Sequence, residues 1–178
     1  MPPDAEVPEG VEAFIEDSAR SRGWIVNLYA HLEFMLADLA LKVEPFDAYA
    51  AVPKGLPFRF DSRVARLEAL LAIEGPLSPW ADILRQIAHN AIAVQDTRHL
   101  MTHGLGQVHV INGAIHLHLR RFDPVPGDPH RVISAQFHAG HLQEMEAIAK
   151  EVSQAAMETF REIYLALDLE LAPEGGAG

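Results

Sequence analysis

Apolar residues recur at intervals of three and four along most of the chain, which is the spacing that one face of an α-helix requires. This pattern predicts helices over about 11–43, 62–73, 78–103 and 140–169. The first of these helices carries two neighbouring apolar rows, and Gly23 is a candidate break within it. Pro45 ends this helix. We therefore expect a mainly α protein, a helical bundle of four to five helices.

An alternating pattern replaces the helical one over about 106–121, and Asn112-Gly113 lies at its centre. Asn-Gly is the strongest short signal for a type I′ hairpin turn. Pairing across this turn places Val108 opposite Leu117, which gives one apolar face and one polar face rich in histidine. The sequence thus predicts a β-hairpin inserted before the last long helix, and residues 132–137 fit a further short strand.

The composition is that of one globular domain. The chain has 178 residues, of which 49% are hydrophobic and 22% charged, and this length suffices to bury a core. We expect a single helical domain over 11–169, between a disordered leader (1–10) and a disordered tail (170–178). The absence of cysteine excludes disulfides and thiolate metal ligands.

No secretory signal is visible, and charged residues interrupt the longest apolar runs at Glu33, Asp38 and Lys42. These features favour a cytoplasmic protein that does not span a membrane. The chain also lacks a Gly-rich phosphate loop, a nucleophile elbow and a His-Glu-x-x-His zinc motif. We therefore expect no cofactor.

The chain is strongly acidic, with 25 Asp and Glu against 14 Lys and Arg and a formal net charge of −11. Such a charge opposes long-range attraction of RNA or DNA. It argues against a tight, non-specific nucleic-acid binder and leaves room for a small local cationic site.

Arg98 occupies a place in the apolar stripe of the 78–103 helix, and His103 follows at its end, before Gly104. Arginine suits phosphate and histidine can transfer a proton, so the two could serve a metal-free phosphodiester cleavage. A structural role for each residue is an equally good interpretation. An arginine in an apolar stripe can pair with a carboxylate such as Glu33 or Asp96, and a histidine at a helix end can interact with the helix dipole. Five residues along a regular helix also turn the two side chains roughly 140° apart.

Eight of the ten histidines lie between His99 and His141. On the predicted hairpin, His116 and His118 share a face and His109 lies across from His116, so three imidazoles could bind zinc. A solvated polar face that happens to use histidine is the better interpretation, because no carboxylate or thiolate completes the set. We therefore expect no metal.

The motif and the layout around it resemble the HEPN superfamily of small α-helical bundles. Many of its members are metal-independent RNases of toxin–antitoxin, abortive-infection and CRISPR systems, and some are non-catalytic. The family signature is arginine, a polar residue, three to five further residues and histidine, and Arg98, His99 and His103 match it position by position. The first helix, with Glu33 among apolar residues, is similar to the family's opening helix. The resemblance covers roughly 25–167 as a pattern, and its specific part is this one short motif.

The resemblance implies a homodimer whose two motif helices line one cleft, so that Arg98 and His103 need not share one helix face. The RNA 2′-hydroxyl would attack the adjacent phosphorus and leave a cyclic phosphate. His103 would move the proton and Arg98 would stabilise the phosphate charge. Residues that would orient or support the substrate are His99, Thr102, Glu33 and Asp96. Residues that would contact flanking RNA are Arg120, Arg121 and His116.

The resemblance further implies a bacterial toxin–antitoxin or defence context, with RNA as substrate and a small antitoxin protein as partner. The alternative is a non-catalytic HEPN-like module that binds proteins or nucleotides. The net charge of −11 favours this alternative.

Overall fold

Helices form most of the chain in this computed structural model, which describes residues 8–169. The α-helices are α1 (Val11–Lys42), α2 (Phe60–Leu71), α3 (Ala81–Ala93), α4 (Gln95–His103) and α5 (Ala139–Ala166). The strands are β1 (Leu105–Ile111), β2 (Ala114–Phe122) and β3 (Val132–Phe137), which form an antiparallel sheet in the order β1-β2-β3. The mainly α class is therefore shown. The predicted disordered leader and tail fall largely on residues 1–7 and 170–178, which lie outside the described range.

Residue contacts divide the described chain into two compact units. The sheet unit comprises residues 8–28 and 94–150, and the helical unit comprises 29–93 and 151–169. Both units contain buried apolar side chains. Those of the sheet unit include Phe14, Ile25, Leu100, Met101, Leu117, Leu119, Phe137 and Leu142. Those of the helical unit include Leu32, Leu39, Leu67, Leu70, Leu84, Ile87, Phe160 and Ile163.

The single helix predicted over 78–103 is wrong, because the structure interrupts it at Val94. Ser78–Trp80 forms a short 3-10 turn, and Val94 separates α3 from α4. The backbone of Val94, at φ −103° and ψ 1°, lies outside the α-helical region. The motif residues consequently lie on α4, a helix of 9 residues. The candidate break at Gly23 is also wrong, since α1 continues through this residue.

The hairpin turn has the backbone that its sequence requires. Asn112 has φ 52° and Gly113 has φ 80°, and a type I′ turn needs positive φ at both central positions. The cross-strand pairs are those that the turn predicts: Val108 with Leu117, Val110 with Ile115 and His109 with His116. This register directs Leu117 and Leu119 into the core of the sheet unit, where both are buried.

An ion pair with a buried arginine holds the loop after α1 to α2 in the helical unit. The Arg66 side chain is 7% exposed and donates from Nη2 to Glu44 at 2.6 Å and from Nε to the Pro53 carbonyl at 3.1 Å. Glu44 also accepts the Gly55 N–H at 3.0 Å. The Gly55 hydrogen bond and then Arg66 lower the pKa of Glu44. These hydrogen bonds hold the loop between α1 and α2, which has little regular structure, against Arg66 of α2.

Among the described residues, α1 is the one helix long and apolar enough to cross a membrane. A buried core helix meets the same criterion of length and composition, so the finding is weak evidence for a membrane span. Glu33 and Asp38 lie within α1, and carboxylates are costly at the centre of a bilayer.

Candidate functional site

The regular geometry of α4 decides which motif side chains meet. His99 and His103 are one turn apart, and their ring centroids lie 6.4 Å from each other. Arg98 Nη2 lies 3.3 Å from Nε2 of His99. The structure therefore brings His99 next to both of the other motif residues, while Arg98 and His103 start from different faces of the helix.

The contact with Arg98 determines which nitrogen of His99 carries the proton. A guanidinium group only donates hydrogen bonds, so Nε2 of His99 accepts and the proton of the neutral ring lies on Nδ1. Burial lowers the pKa of His99 below its ordinary value of 6.5, and the positive charges of Arg98 and Arg121 lower it further. His99 is therefore a neutral imidazole at neutral pH.

His103 lines a pocket whose lining also includes two arginines. The pocket has a volume of about 470 Å³, and its lining is His103, Leu105, Arg120, Arg121, Phe122 and Val132. The chain geometry explains this meeting, because β1 begins two residues after His103 and pairs Leu105 with Arg120. The end of α4 therefore lies beside the end of β2. The pocket combines a group that can transfer a proton with fixed positive charge.

The two arginines of the pocket differ in their surroundings. The Arg121 side chain is 17% exposed, and its Nη2 lies 3.1 Å from Asp123, which also pairs with Arg131. Arg120 is exposed and donates to Oε1 of Gln107 at 2.8 Å. Because Gln107 is neutral, that hydrogen bond leaves the positive charge of Arg120 in place. Arg120 is therefore the better placed of the two to meet an anion from solvent.

The remaining predicted site residues lie outside this pocket. Thr102 donates its hydroxyl to the Arg98 carbonyl at 2.8 Å, a bond within α4. Asp96 is exposed in the first turn of α4, where its charge raises the pKa of His99 against the larger opposing effects. Glu33 is half-buried on α1, in the helical unit. His116 lies farther along β2, towards the hairpin turn.

The sequence interpretation missed Arg22. Its Nη2 donates to the Met101 carbonyl in the last turn of α4, where helix carbonyls lack partners within the helix. Burial lowers the pKa of Arg22. The signal was available in the sequence, because Arg22 lies in a row of α1 with the buried residues Ser18, Ile25 and Tyr29 at spacings of four, three and four.

The hairpin histidines do not gather into a metal centre. Within residues 8–169, no group of three or more His, Asp or Glu side chains is placed to hold a metal ion. The rings of His109 and His118 lie 5.7 Å apart and tilted, and His116 pairs in register with His109. These side chains belong to the outer surface of the sheet.

No protein-family model, curated protein or solved structure matches the chain significantly. The HEPN resemblance therefore depends on the three motif residues of α4 and on the order of the elements around them.

Proposed function

We propose that this protein is a metal-independent endoribonuclease of HEPN type that acts as a dimer with a composite site of Arg98 and His103. The observation that carries the proposal is the pocket in which His103 meets Arg120 and Arg121. Cleavage of RNA by its own 2′-hydroxyl needs a proton acceptor, a proton donor and positive charge around the phosphate. The residues of this pocket supply those chemical groups.

In the proposed reaction, His103 accepts the proton of the 2′-hydroxyl while that oxygen forms a bond to the adjacent phosphorus. The bond from phosphorus to the 5′-oxygen breaks, and the leaving oxygen takes a proton back from His103. The products are a 2′,3′-cyclic phosphate and a free 5′-hydroxyl. Arg98 of the composite site and Arg120 of the pocket stabilise the charge on the non-bridging oxygens.

His99 acts on Arg98 rather than on the RNA in this mechanism. Its Nε2 accepts from the Arg98 guanidinium, which restricts the directions that this flexible side chain can take. As a neutral ring, His99 adds no charge that would compete for the phosphate. The proposal also takes residues 11–169 as one HEPN-like bundle with the hairpin inserted before the last helix, and places the protein in the cytoplasm of a bacterium.

Cleavage in the presence of EDTA tests the proposal. Short oligoribonucleotides of mixed sequence are incubated with the wild type, with Arg98→Ala and with His103→Ala, and the products are identified by mass spectrometry. We expect a cyclic phosphate from the wild type and a loss of about 100-fold or more in His103→Ala, which is the usual effect of removing a general acid or base. The matched control is His130→Ala, since His130 is exposed in the loop before β3. Equal activity in all variants, or none in the wild type, would contradict the proposal.

The alternative function is a non-catalytic HEPN-like module that binds a protein or a nucleotide. Asp123 favours it, because this carboxylate pairs with both Arg121 and Arg131 and so neutralises part of the positive charge beside the pocket. Binding of a mononucleotide without RNA cleavage, lost in Arg120→Ala, would support this function over the nuclease.

The biological context that accompanies the nuclease is a toxin–antitoxin or defence system with a small antitoxin protein as partner. Regulated expression in a bacterial host tests this part. We expect the wild type to arrest growth and His103→Ala to leave growth unchanged. Normal growth with active wild-type enzyme present would contradict a toxin role.

A further inference from the structure

The outer face of the three-stranded sheet carries no carboxylate. Side chains alternate between the two faces of a strand, and the outward positions are those opposite to the face that carries the buried Leu117, Leu119 and Phe137. None of these outward positions is Asp or Glu, although acidic residues outnumber basic ones by 25 to 14 in the chain. The face is therefore an exception to the acidic character of this protein.

The same face carries groups that suit an anionic, aromatic ligand. Arg120 is a fixed cation there, and His109, His116 and His118 add imidazole rings. Phe122 is 76% exposed at the end of β2, although leaving a phenylalanine in water is unfavourable. Exposed aromatic and cationic side chains on one sheet are the arrangement on which proteins stack single-stranded bases.

The face continues into the pocket described above. Arg120 and Phe122 lie on the outer face and also line the pocket beside His103. From Phe122 to His116 the strand extends about 20 Å, at 3.3 Å per residue. A strand of nucleic acid along β2 would thus run directly into the proposed catalytic pocket.

We propose that this outer face is a platform that binds single-stranded RNA and leads it to the His103 pocket. The inference rests on the proposed function for the direction in which the RNA runs. RNA fits this face better than a second copy of the chain, because a two-fold contact would set Arg120 and the histidines against the same groups, whereas a phosphate backbone carries the opposite charge. Single strands fit better than duplexes, since only unpaired bases expose the faces that Phe122 and the imidazoles can stack on.

Binding of an RNA that cannot be cleaved tests the platform apart from the nuclease. The probe is a fluorescein-labelled 2′-O-methyl decauridylate, which lacks the nucleophilic hydroxyl, and the readout is fluorescence anisotropy. We expect Phe122→Ala and the double variant His116→Ala/His118→Ala each to weaken binding at least fivefold. Matched controls are Phe58→Ala, whose side chain is 94% exposed in the helical unit, and the exposed pair His31→Ala/His130→Ala. The controls should stay within twofold of the wild type.

The outcomes separate this inference from the proposed function. Wild-type binding that depends on the platform residues, without any RNA cleavage, would support the platform and reject the nuclease. Cleavage by a wild type whose affinity for the probe is unchanged by the platform variants would reject the platform alone. Failure of the wild type to bind the probe would also overturn it. So would a fall in oligomeric mass in Phe122→Ala with intact RNA binding, since that result would assign the face to a second copy.

Discussion

His99 lies between two other groups of the motif, and its surroundings oppose its protonation. Burial and the charges of Arg98 and Arg121 lower its pKa in the folded protein, whereas the unfolded chain keeps a value near 6.5. Between the two values the unfolded chain binds more protons than the folded one. The free energy of unfolding therefore falls as the pH drops through about 6.5, and the loss is complete below the pKa of the folded state.

Replacing His99 with glutamine should remove this acid sensitivity. The amide of the introduced glutamine cannot be protonated in this range, and its oxygen can still accept a hydrogen bond from Arg98. We expect the wild type to lose more stability than His99→Gln between pH 7.5 and pH 5.5, measured by urea unfolding. Identical pH dependence in the two proteins would contradict the lowered pKa. His130→Ala controls for the loss of an exposed histidine.

Two glycines make opposite demands on the backbone. Gly113 has φ +80° in the hairpin turn, so a side chain there is strained, and we expect Gly113→Ala to destabilise the protein by about 1 kcal/mol.

Gly23 lies inside α1, where an added Cβ meets no atom within 4 Å. Gly23→Ala should stabilise by about 0.5–1 kcal/mol, because alanine restricts the unfolded chain and favours the helix. Thermal unfolding checks both, and a stabilised Gly113→Ala would contradict the turn geometry.

At the scale of elements, α4 depends on a residue from another helix. Arg22 of α1 donates to the Met101 carbonyl at the end of α4, two residues before His103. We expect Arg22→Ala to cost about 1–2 kcal/mol in urea unfolding, because a carbonyl loses a charged donor. The matched control is Arg20→Ala, since Arg20 is exposed and pairs with Asp17 at the surface. A surface ion pair usually contributes less than about 1 kcal/mol to stability.

The effect on cleavage is the sharper measure of this contact. If Arg22 positions the end of α4, Arg22→Ala should reduce RNA cleavage at a temperature where the variant remains folded. Arg20→Ala should cleave as the wild type does. Equal rates for both variants would show that α4 keeps its geometry without Arg22.

The sequence predicts those elements whose determinants are local. The Asn112-Gly113 turn fixes the hairpin register because both residues accept positive φ, and the cross-strand pairs follow from that one signal. The break between α3 and α4 carries no such signal, since neither glycine nor proline lies among residues 91–97. The helical period alone therefore joined two helices into one.

The candidate site was predictable only in part for a related reason. Arg98, His99 and His103 are neighbours in the sequence, so a motif identifies them. The position of Arg22 in an apolar row of α1 indicates that its side chain lies against the core. The pocket is different, because it forms where the end of α4 meets the far end of β2. The hairpin register pairs Leu105 with Arg120, but only the structure shows that His103 turns towards that pair.

At the scale of the whole molecule, the net charge of −11 and the arginines of the pocket would have opposite effects on the proposed RNA substrate. The net charge acts at long range and is screened within about 10 Å at ordinary salt, whereas the pocket acts at contact distance. On the proposed function, affinity for RNA would therefore depend on a few local contacts, and association would gain little from electrostatic steering. A protein of this kind suits recognition of a particular RNA site better than coating of RNA in general.

The proposed composite site makes a prediction about assembly. If two protomers contribute to one cleft, the wild type should have twice the chain mass of 19.6 kDa in light scattering at micromolar concentration. Arg98→Ala and His103→Ala should each be inactive alone. When the two inactive proteins are mixed and allowed to exchange protomers, a mixed dimer keeps one Arg98 and one His103 in its cleft, so part of the activity should return.

The mixing experiment separates the composite site from a site within one chain, which mutation of single residues cannot do. Recovery requires that the intact groups of different protomers act together, since each protomer of the mixed dimer lacks one of them. A dimer that shows no recovery after exchange, verified with differently tagged protomers, would place Arg98 and His103 in the same catalytic unit. Such a result would require α4 to deform so that two side chains roughly 140° apart converge on one phosphate. A monomeric but active wild type would likewise place the whole catalytic site within one chain.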